Sequence, residues 1–232
     1  FKKQKRNPTD VELESIAQTW SEHCKHTIFA DPIDDVTEGL YKTYIKGATY
    51  KIKSPICVSV FHDNSGGIVF DDTYVITHKV ETHNSPSAIE PYGGAMTGSG
   101  GVFRDVMGTG QGAKTIISTD MFCFAPPDLD PSKLPQGTLN PDYLQRRVVA
   151  GVRDYGNRMG IPTNNGSVHY HEDFRAKPTI IVGAYGVLPE SRAEKGHAKK
   201  DDLVVVIGGR TGRDGIHGAT FSSGEMTERT VN

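Results

Sequence analysis

A lysine, a glutamate and a histidine stand two residues apart in the stretch HKVETHNSPSAIE, which begins at residue 78. The β-branched segment Thr73–Val80 leads into it and predicts a strand that continues to His83. Side chains alternate between the two faces of a strand, so Lys79, Glu81 and His83 would share one face. They offer a cation for phosphate, an oxygen ligand for Mg²⁺ and a base that titrates near neutral pH. From spacing alone, the solvated face of an edge strand is the favoured explanation, because short motifs often match by chance.

A glycine-rich segment, EPYGGAMTGSGGVFRD, follows at residues 90–105 and ends in an Arg–Asp pair. Glycines carry no Cβ, so we expect a loop whose backbone N–H groups turn toward the phosphates of a nucleotide. The glycines that we assign to this contact are Gly98, Gly100 and Gly101. Arg104 can hold a phosphate with two hydrogen bonds, and Asp105 can ligate a metal. A mobile surface loop is the alternative, but the position directly after the Lys/Glu/His face favours the phosphate site.

Two other glycine-rich stretches invite a phosphate-binding interpretation. GTGQGAKT at residues 108–115 is close to a Walker A loop, but Ala113 replaces the required glycine and a β-branched run follows instead of a helix, so we reject it. GGRTGRDGIHG at residues 208–218 follows a predicted strand, Leu203–Ile207, and carries two arginines. A turn and a phosphate site fit this second stretch equally well, and it is not a dinucleotide fingerprint.

The remaining reactive residues give weaker signals. His23 and Cys24 are neighbours on a predicted helix end, where adjacent residues rarely face each other, so they do not form a Cys–His couple. His169 and His171 can ligate zinc, but no third ligand stands at a recognisable spacing. The triplet Asn165–Ser167 matches a glycosylation sequon, and we interpret it as a turn.

The elements that would position these residues follow from local signals. A capping box at Thr9–Glu12 predicts a first helix. Asn140, with a proline and an acid after it, predicts a long helix that Gly160 ends and whose apolar face includes Met159. Further strands are predicted from β-rich runs at 41–45, 56–61, 67–70, 115–124 and 179–188. Strands and helices alternate irregularly, so we expect an α/β or α+β fold with a mixed sheet and a domain boundary near 189–200.

Composition restricts the class of protein. The 232 residues carry a net charge of −2, so no global basic field exists for nucleic acid. No apolar run reaches the roughly 18 residues needed to span a bilayer, so we expect no membrane partner. The three cysteines are far apart, which favours a reducing cytoplasm over a disulfide framework. The chain begins at Phe1 without a methionine, and we therefore expect a fragment or a processed form.

Four motifs in the same order resemble the formylglycinamide ribonucleotide amidotransferase family. They are SEHCKHTIF, KVETHN with PSAIEPYGGAMTGSGGVFRD, DYGNRMGIPT, and GGRTGRDGIHGATF, and the resemblance spans about residue 9 to residue 232. The family is the phosphoribosylformylglycinamidine synthase (PurL) of purine biosynthesis. HCKHTIF and GTGQGAKT look like the long single-chain form, whereas the last motif is also typical of the short subunit form.

The resemblance implies a fold of the AIR synthetase (PurM) type. Its N-terminal-like domain is α/β (α+β) with a mixed sheet, which pairs with a second AIR synthetase-like domain or a homodimer mate to form a barrel. The implied division is an N-terminal helix and linker at 1–30, an ATP-binding domain at 31–190, and the start of a truncated C-terminal-like domain at 191–232.

The resemblance also implies an ATP- and Mg²⁺-dependent carbon–nitrogen ligase. ATP phosphorylates the amide oxygen of formylglycinamide ribonucleotide, ammonia displaces phosphate from the iminophosphate, and an amidine results. The ammonia comes from a glutaminase domain or subunit that is not in this chain, and this piece alone is expected to be inactive or nearly so.

Residue roles carried over by motif fall into four groups. The catalytic residues implied are His23 and His83. The implied ATP contact is Lys79, and the implied Mg²⁺ ligands are Glu81 and Asp105. The implied substrate contacts are Thr82, His83, Asn84, Ser85 and Arg104.

Two positions depart from the family pattern. Ser85 stands where the family commonly has a second histidine, and a serine hydroxyl carries no charge. His26 stands where the short form usually has a tyrosine that contacts ATP. Two other functions stay open: a relative with another substrate, of the small-molecule kinase or selenophosphate synthetase type, and a non-catalytic pairing module, which Ser85 keeps in consideration.

Overall fold

The computed structural model describes residues 1–21, 23, 27–210, 212 and 226–227. Backbone contacts divide the chain into two compact units. One contains Phe1–Ile52 together with residues 198–212 where they are described, and the other contains Lys53–His197 with residues 226–227.

The regular elements of the first unit are helices, which lie between residues 2 and 52. Helix α1 (Asp10–Gln18) begins with the predicted capping box, in which Thr9 and Glu12 exchange hydrogen bonds. Helix α2 (Thr27–Ala30) follows, and a six-residue π-helix (Tyr41–Lys46) continues directly into helix α3 (Gly47–Ile52).

Two strands predicted in this unit are wrong. The run at 41–45 is aromatic and β-branched, but its hydrogen bonds are made locally, as in the bond from Thr43 N to Gly39 O. Leu203–Ile207 is 71–94% exposed and has no sheet partner among the described residues. Residues with high strand propensity stabilise a strand mainly by packing against a neighbouring strand. They do not stabilise one where no such neighbour is available.

The second unit is built on a six-stranded sheet with the spatial order β1-β2-β3-β6-β4-β5. The strands are β1 (Cys57–Ser59), β2 (Gly66–Val69), β3 (Tyr74–Thr82), β4 (Lys114–Phe124), β5 (Thr163–Tyr170) and β6 (Thr179–Pro189). The β4–β5 pair is parallel and every other pair is antiparallel, so the predicted mixed α/β sheet is confirmed. The sequon triplet Asn165–Ser167 lies inside β5 and not in the predicted turn, because it pairs along its length with β4.

Three helices accompany this sheet: α4 (Asn84–Ile89), α5 (Pro91–Met107) and α6 (Pro141–Met159). The predicted limits of α6 are confirmed, since the Asn140 side chain accepts hydrogen bonds from two backbone N–H groups and Gly160 ends the helix at φ +68°. Its end is less buried than predicted, because Met159 is largely exposed. None of the described helices is long and apolar enough to cross a bilayer. Short 3-10 turns lie at Lys2–Gln4, Pro131–Lys133, Glu172–Arg175 and Glu190–Arg192.

The glycine-rich segment predicted as a phosphate-binding loop is a helix. Helix α5 has a proline at its first position, and the Glu90 carboxylate caps it by accepting from Gly93 N. Glycine lowers helix propensity, but close packing recovers that cost: a Cβ at Gly94 would lie 2.5 Å from the backbone of Pro86. Backbone N–H groups inside a helix bond to carbonyls of the preceding turn, so they do not wrap a phosphate.

The core lies between one face of the sheet and helices α5 and α6. Its largest fully buried side chains are Val75, Val102, Phe103, Val106, Phe124, Val148, Ile180, Val182 and Leu188. Burial of each such side chain contributes about 1.5–3 kcal/mol. The opposite face of the sheet leaves apolar side chains such as Val80 and Met121 exposed, and there His78 stacks on Tyr185 at 4.2 Å between ring centroids.

The stretch GTGQGAKT forms no Walker A loop, as predicted. It connects α5 to β4, which begins at Lys114 where a Walker A motif would begin a helix. Gly110 adopts φ +56° and its N–H donates to Asp63 Oδ2 at 3.0 Å. Lys195 Nζ pairs with the other oxygen of Asp63 at 2.7 Å, so this turn is fixed by structural contacts.

Candidate active site

The three charged side chains at the end of β3 and on α5 converge. Lys79 Nζ lies 3.2 Å from Glu81 Oε1 and 3.0 Å from Asp105 Oδ2. Glu81 is two residues from Lys79 on the same strand face, whereas Asp105 comes from α5. Side-chain exposure is 25% for Lys79, 28% for Glu81 and 13% for Asp105, so the cluster is half-buried. The predicted shared face is therefore confirmed for Lys79 and Glu81, although β3 ends at Thr82, one residue short of the predicted His83. The two carboxylates point to one place.

Helix α5 runs antiparallel to the end of β3, and its glycines set the spacing. A Cβ added at Gly101 would lie 3.0 Å from Glu81 Oε2, and one added at Gly98 would lie 3.0 Å from His83 Cβ. Positions 98, 101 and 105 form one helical stripe, which faces His83, just beyond β3, and then strand positions 81 and 79. Gly100 is not part of that stripe: its Cβ would meet the Tyr155 hydroxyl on α6 at 2.9 Å. The structure thus brings Gly98 and Gly101, but not Gly100, to the charged side chains.

The electrostatics of the cluster favour a charged lysine. Partial burial by itself lowers the pKa of Lys79, but the hydrogen bond to Asp105 and the negative charge of Glu81 outweigh it and leave the pKa raised. Arg104 approaches Asp105 from the solvent side, with its Nε 3.1 Å from Oδ1. The Arg104 side chain is 75% exposed, so solvent reaches most of it.

The segment after β3 is fixed against the beginning of β6. His83 N donates to Ile180 O at 2.8 Å, and Ile180 N donates to Asn84 Oδ1 at 2.9 Å. Ser87 Oγ donates to His83 O at 2.6 Å. Thr82 is exposed and, one residue after Glu81 on the strand, it presents its side chain to the opposite face of the sheet. The Thr82 side chain therefore does not lie next to that of Glu81.

The two carboxylates fit a magnesium ion that arrives with a nucleotide. Mg²⁺ binds oxygen ligands and is usually held by one or two carboxylates together with substrate phosphates. Glu81 and Asp105 supply such a pair. Among the described residues, no group of three or more His, Cys, Asp or Glu side chains is placed to hold a metal ion. His169 and His171 therefore have no third ligand there. The donor set suits a shared Mg²⁺–phosphate site better than a metal bound by protein alone.

Other predicted sites are less informative. His23 is exposed in the first unit, where its N–H donates to Ser21 Oγ at 3.0 Å, and its catalytic role stays a prediction. Cys24 and His26 lie outside the described residues, as does most of the stretch at 208–218. The phosphate-site interpretation of that stretch is therefore still a prediction.

One neighbour of the site has no counterpart in the sequence-based prediction. Lys177, just before β6, donates from Nζ to Ser85 Oγ at 3.4 Å. The two residues are 92 positions apart, and Lys177 belongs to no motif. Only the pairing of β3 with β6 brings them together.

Comparison with known proteins identifies the class. Residues 62–188 match the family described as AIR synthase related protein, N-terminal domain, and residues 1–26 match the formylglycinamide ribonucleotide amidotransferase linker domain. The chain belongs to the AIR synthase related family.

Particular relatives are subunits of phosphoribosylformylglycinamidine synthase. The chain is 39% identical to subunit PurL of Picrophilus torridus over 224 residues, which covers 96% of this chain and 28% of that protein. It is 42% identical to PurL of Methanobrevibacter smithii over 166 residues, which covers 71% of this chain and 22% of that one. The resemblance inferred from the motifs is confirmed, and the chain spans only 22–28% of the length of these two relatives.

Solved structures of PurL share the fold. Thermotoga maritima PurL complexed with FGAR superposes with a TM-score of 0.62 at 33% identity, over 96% of this chain and 31% of that one. The same protein complexed with AMPPCP gives a TM-score of 0.59 at 30% identity, again over 96% and 31%.

Proposed function

We propose that this chain is part of an ATP- and Mg²⁺-dependent ligase that converts formylglycinamide ribonucleotide and ammonia to formylglycinamidine ribonucleotide. The observation that carries the proposal is the convergence of Glu81 and Asp105 on Lys79. Family membership and the PurL relatives that bind FGAR, ATP or AMPPCP support it. Phosphoryl transfer depends on positioning and charge neutralisation, which such a cluster provides.

In this proposal Glu81 and Asp105 hold the metal. When bound, Mg²⁺ would neutralise charge on the triphosphate of ATP. Lys79 holds the carboxylates in place before the nucleotide binds and then contacts a phosphate oxygen. Gly98 and Gly101 act through the space they leave for His83 and Glu81, and not through free N–H groups.

The reacting amide is assigned to the end of β3. His83, held by its backbone bond to Ile180, takes the proton released as ammonia attacks the iminophosphate carbon. Arg104 offers its exposed guanidinium to the substrate, and Asn84, Ser85 and the backbone of Thr82, whose side chain faces the other side of the sheet, complete the substrate contacts. Asn84 serves mainly to position the segment, because its amide oxygen accepts from Ile180 N.

The proposal includes partners. The exposed apolar face of the sheet, with Val80 and Met121 at its surface, suits the sheet of a second AIR synthetase-like domain or of a homodimer mate. Ammonia would come from a glutaminase domain or subunit. The thiols of Cys57 and Cys123 are free, which suits a reducing cytoplasm.

The experiment measures amidine formation by the complete synthetase that carries this chain, with ATP, ammonia and the formylglycinamide nucleotide. Glu81→Gln and His83→Ala should each lower kcat/KM by 100-fold or more, on the order of 3 kcal/mol. Glu172→Gln, which alters an exposed carboxylate paired with Lys133, is the control and should leave turnover unchanged. Near-normal turnover in both site variants would remove the assignment.

The same preparation separates the alternatives. A kinase-type or selenophosphate synthetase-type relative would hydrolyse ATP in response to another substrate and not to the formylglycinamide nucleotide. A non-catalytic pairing module would show no heat of binding with Mg·ATP in calorimetry of the complete assembly.

A further inference from the structure

Lys177 stands at the same edge of the sheet as the proposed substrate contacts. In the antiparallel pair, the end of β3 lies beside the beginning of β6, so the residues after Thr82 meet those before Thr179. Pro178 is fully buried, and a proline restricts the residue before it to extended backbone. The backbone at Lys177 is therefore fixed, although its side chain is exposed.

The ammonium of Lys177 is available to a ligand. Its hydrogen-bond partner is Ser85 Oγ at 3.4 Å, and no described carboxylate lies within 4.0 Å of Nζ. An ammonium has three N–H donors, so the bond to Ser85 leaves two unused. An uncompensated cation next to a proposed substrate segment is suited to an anionic ligand.

Ser85 connects this cation to the site. It is only 4% exposed, and its hydroxyl accepts from Lys177, which leaves its own O–H to donate. The family resemblance implies a second histidine at position 85, where this chain has a serine. A serine carries no charge, but Lys177 brings a positive charge to the same place.

We propose that Lys177 is a substrate-binding residue whose ammonium contacts a phosphate of the bound ligand, so that Lys177 and Ser85 together replace the histidine. The inference rests on the proposed function. The ribonucleotide's own phosphate is the assigned partner, because Lys79 and Glu81 lie farther back on β3 and Asp105 lies on α5. Four residues of extended chain, roughly 13 Å of backbone, separate Lys79 from His83. Lys177 lies beyond that end of β3 and is therefore assigned a phosphate other than the one that Lys79 contacts.

The test measures dissociation constants by calorimetry on the complete synthetase with three ligands: the formylglycinamide nucleotide, the nucleoside that lacks its phosphate, and AMPPCP. Lys177→Gln should weaken binding of the nucleotide about 10-fold or more. It should leave the nucleoside and AMPPCP within about 2-fold, because neither carries the contacted phosphate. Lys177→Arg keeps the charge and should bind the nucleotide nearly as well as the unaltered protein.

Ser85→His in the Lys177→Gln background should restore part of the lost affinity, since it returns a charge-bearing side chain to position 85. Equal weakening of nucleotide and nucleoside would show a structural role and overturn the inference, as would unchanged nucleotide affinity. Weakening confined to AMPPCP would assign Lys177 to ATP and also overturn it. If the unaltered synthetase binds neither the nucleotide nor AMPPCP, the proposed function itself fails.

Discussion

Gly101 lies so close to the Glu81 side chain that no room is left for a methyl group between them. A Cβ added at Gly101 would lie 3.0 Å from Glu81 Oε2. That distance is shorter than ordinary van der Waals contact, so the carboxylate would have to move. The glycine is therefore part of the geometry that directs Glu81 toward Lys79 and Asp105.

Gly101→Ala should weaken Mg·AMPPCP binding by about 10-fold, because it displaces Glu81. The folded state should be unaffected or slightly stabilised, since alanine is better than glycine in a helix by roughly 0.5–1 kcal/mol. Calorimetry and urea unfolding measure the two effects separately.

Gly100→Ala is the matched control for this substitution. Its Cβ would meet Tyr155 on α6, so it should lower the free energy of unfolding by about 1–3 kcal/mol without weakening nucleotide binding. The opposite pattern, with Gly100→Ala reducing affinity and Gly101→Ala leaving it intact, would contradict the assignment of the two glycines.

Lys79→Met should destabilise the protein by about 1 kcal/mol at pH 7, because it removes the cation that lies between the carboxylates of Glu81 and Asp105. Lys133→Met, which breaks an exposed ion pair with Glu172, should change stability by less than about 0.5 kcal/mol. Since the pKa of Lys79 is raised in the folded state, its contribution is complete at neutral pH. The contribution should be lost only as the pH rises past about 10.4, the value in the unfolded chain. Urea unfolding at pH 7 and at pH 11 tests both statements, and a larger difference at pH 11 would contradict them.

Asp120 predicts a loss of stability with rising pH in an acidic range, and its cause is burial instead of an ion pair. Burial raises the pKa of Asp120 to about 6, although the hydrogen bond that Thr163 Oγ1 donates to Oδ2 acts to lower it. The other carboxylate oxygen, Oδ1, has no hydrogen-bond partner among the described residues. A raised carboxyl pKa stabilises the fold below the unfolded value of about 3.9, and that stabilisation is lost as the pH rises through about 6.

Asp120→Asn removes this titration. Relative to the variant, the unaltered chain should lose on the order of 1–3 kcal/mol of stability between pH 4 and pH 7. Asp128→Asn, at an exposed position, should leave the pH profile of stability unchanged. Parallel profiles for the unaltered chain and Asp120→Asn would show that Asp120 does not titrate in this range.

The sequence predicts well those features that residues close in the chain determine. The caps of α1 and α6 are set by side chains within three residues of the helix start, and both helices are found where their signals place them. The period-two placement of Lys79 and Glu81 is equally local, because it follows from strand geometry alone.

The errors have non-local causes. The glycines of α5 indicate a loop by propensity, but tight packing against β3 and α6 keeps them helical. The run at 41–45 has strand-forming residues without a strand beside it. Lys177 reaches Ser85 only through the pairing of β3 with β6, which no short pattern records.

The most direct test of the site is the effect of Mg²⁺ on AMPPCP affinity in the complete synthetase, measured for the unaltered protein and for Glu81→Gln with Asp105→Asn. We predict that Mg²⁺ tightens binding by tenfold or more in the unaltered protein and that the double variant loses this gain while Glu172→Gln keeps it. An equal gain from Mg²⁺ in the unaltered protein and the double variant would contradict the account, because the two carboxylates would then not hold the metal.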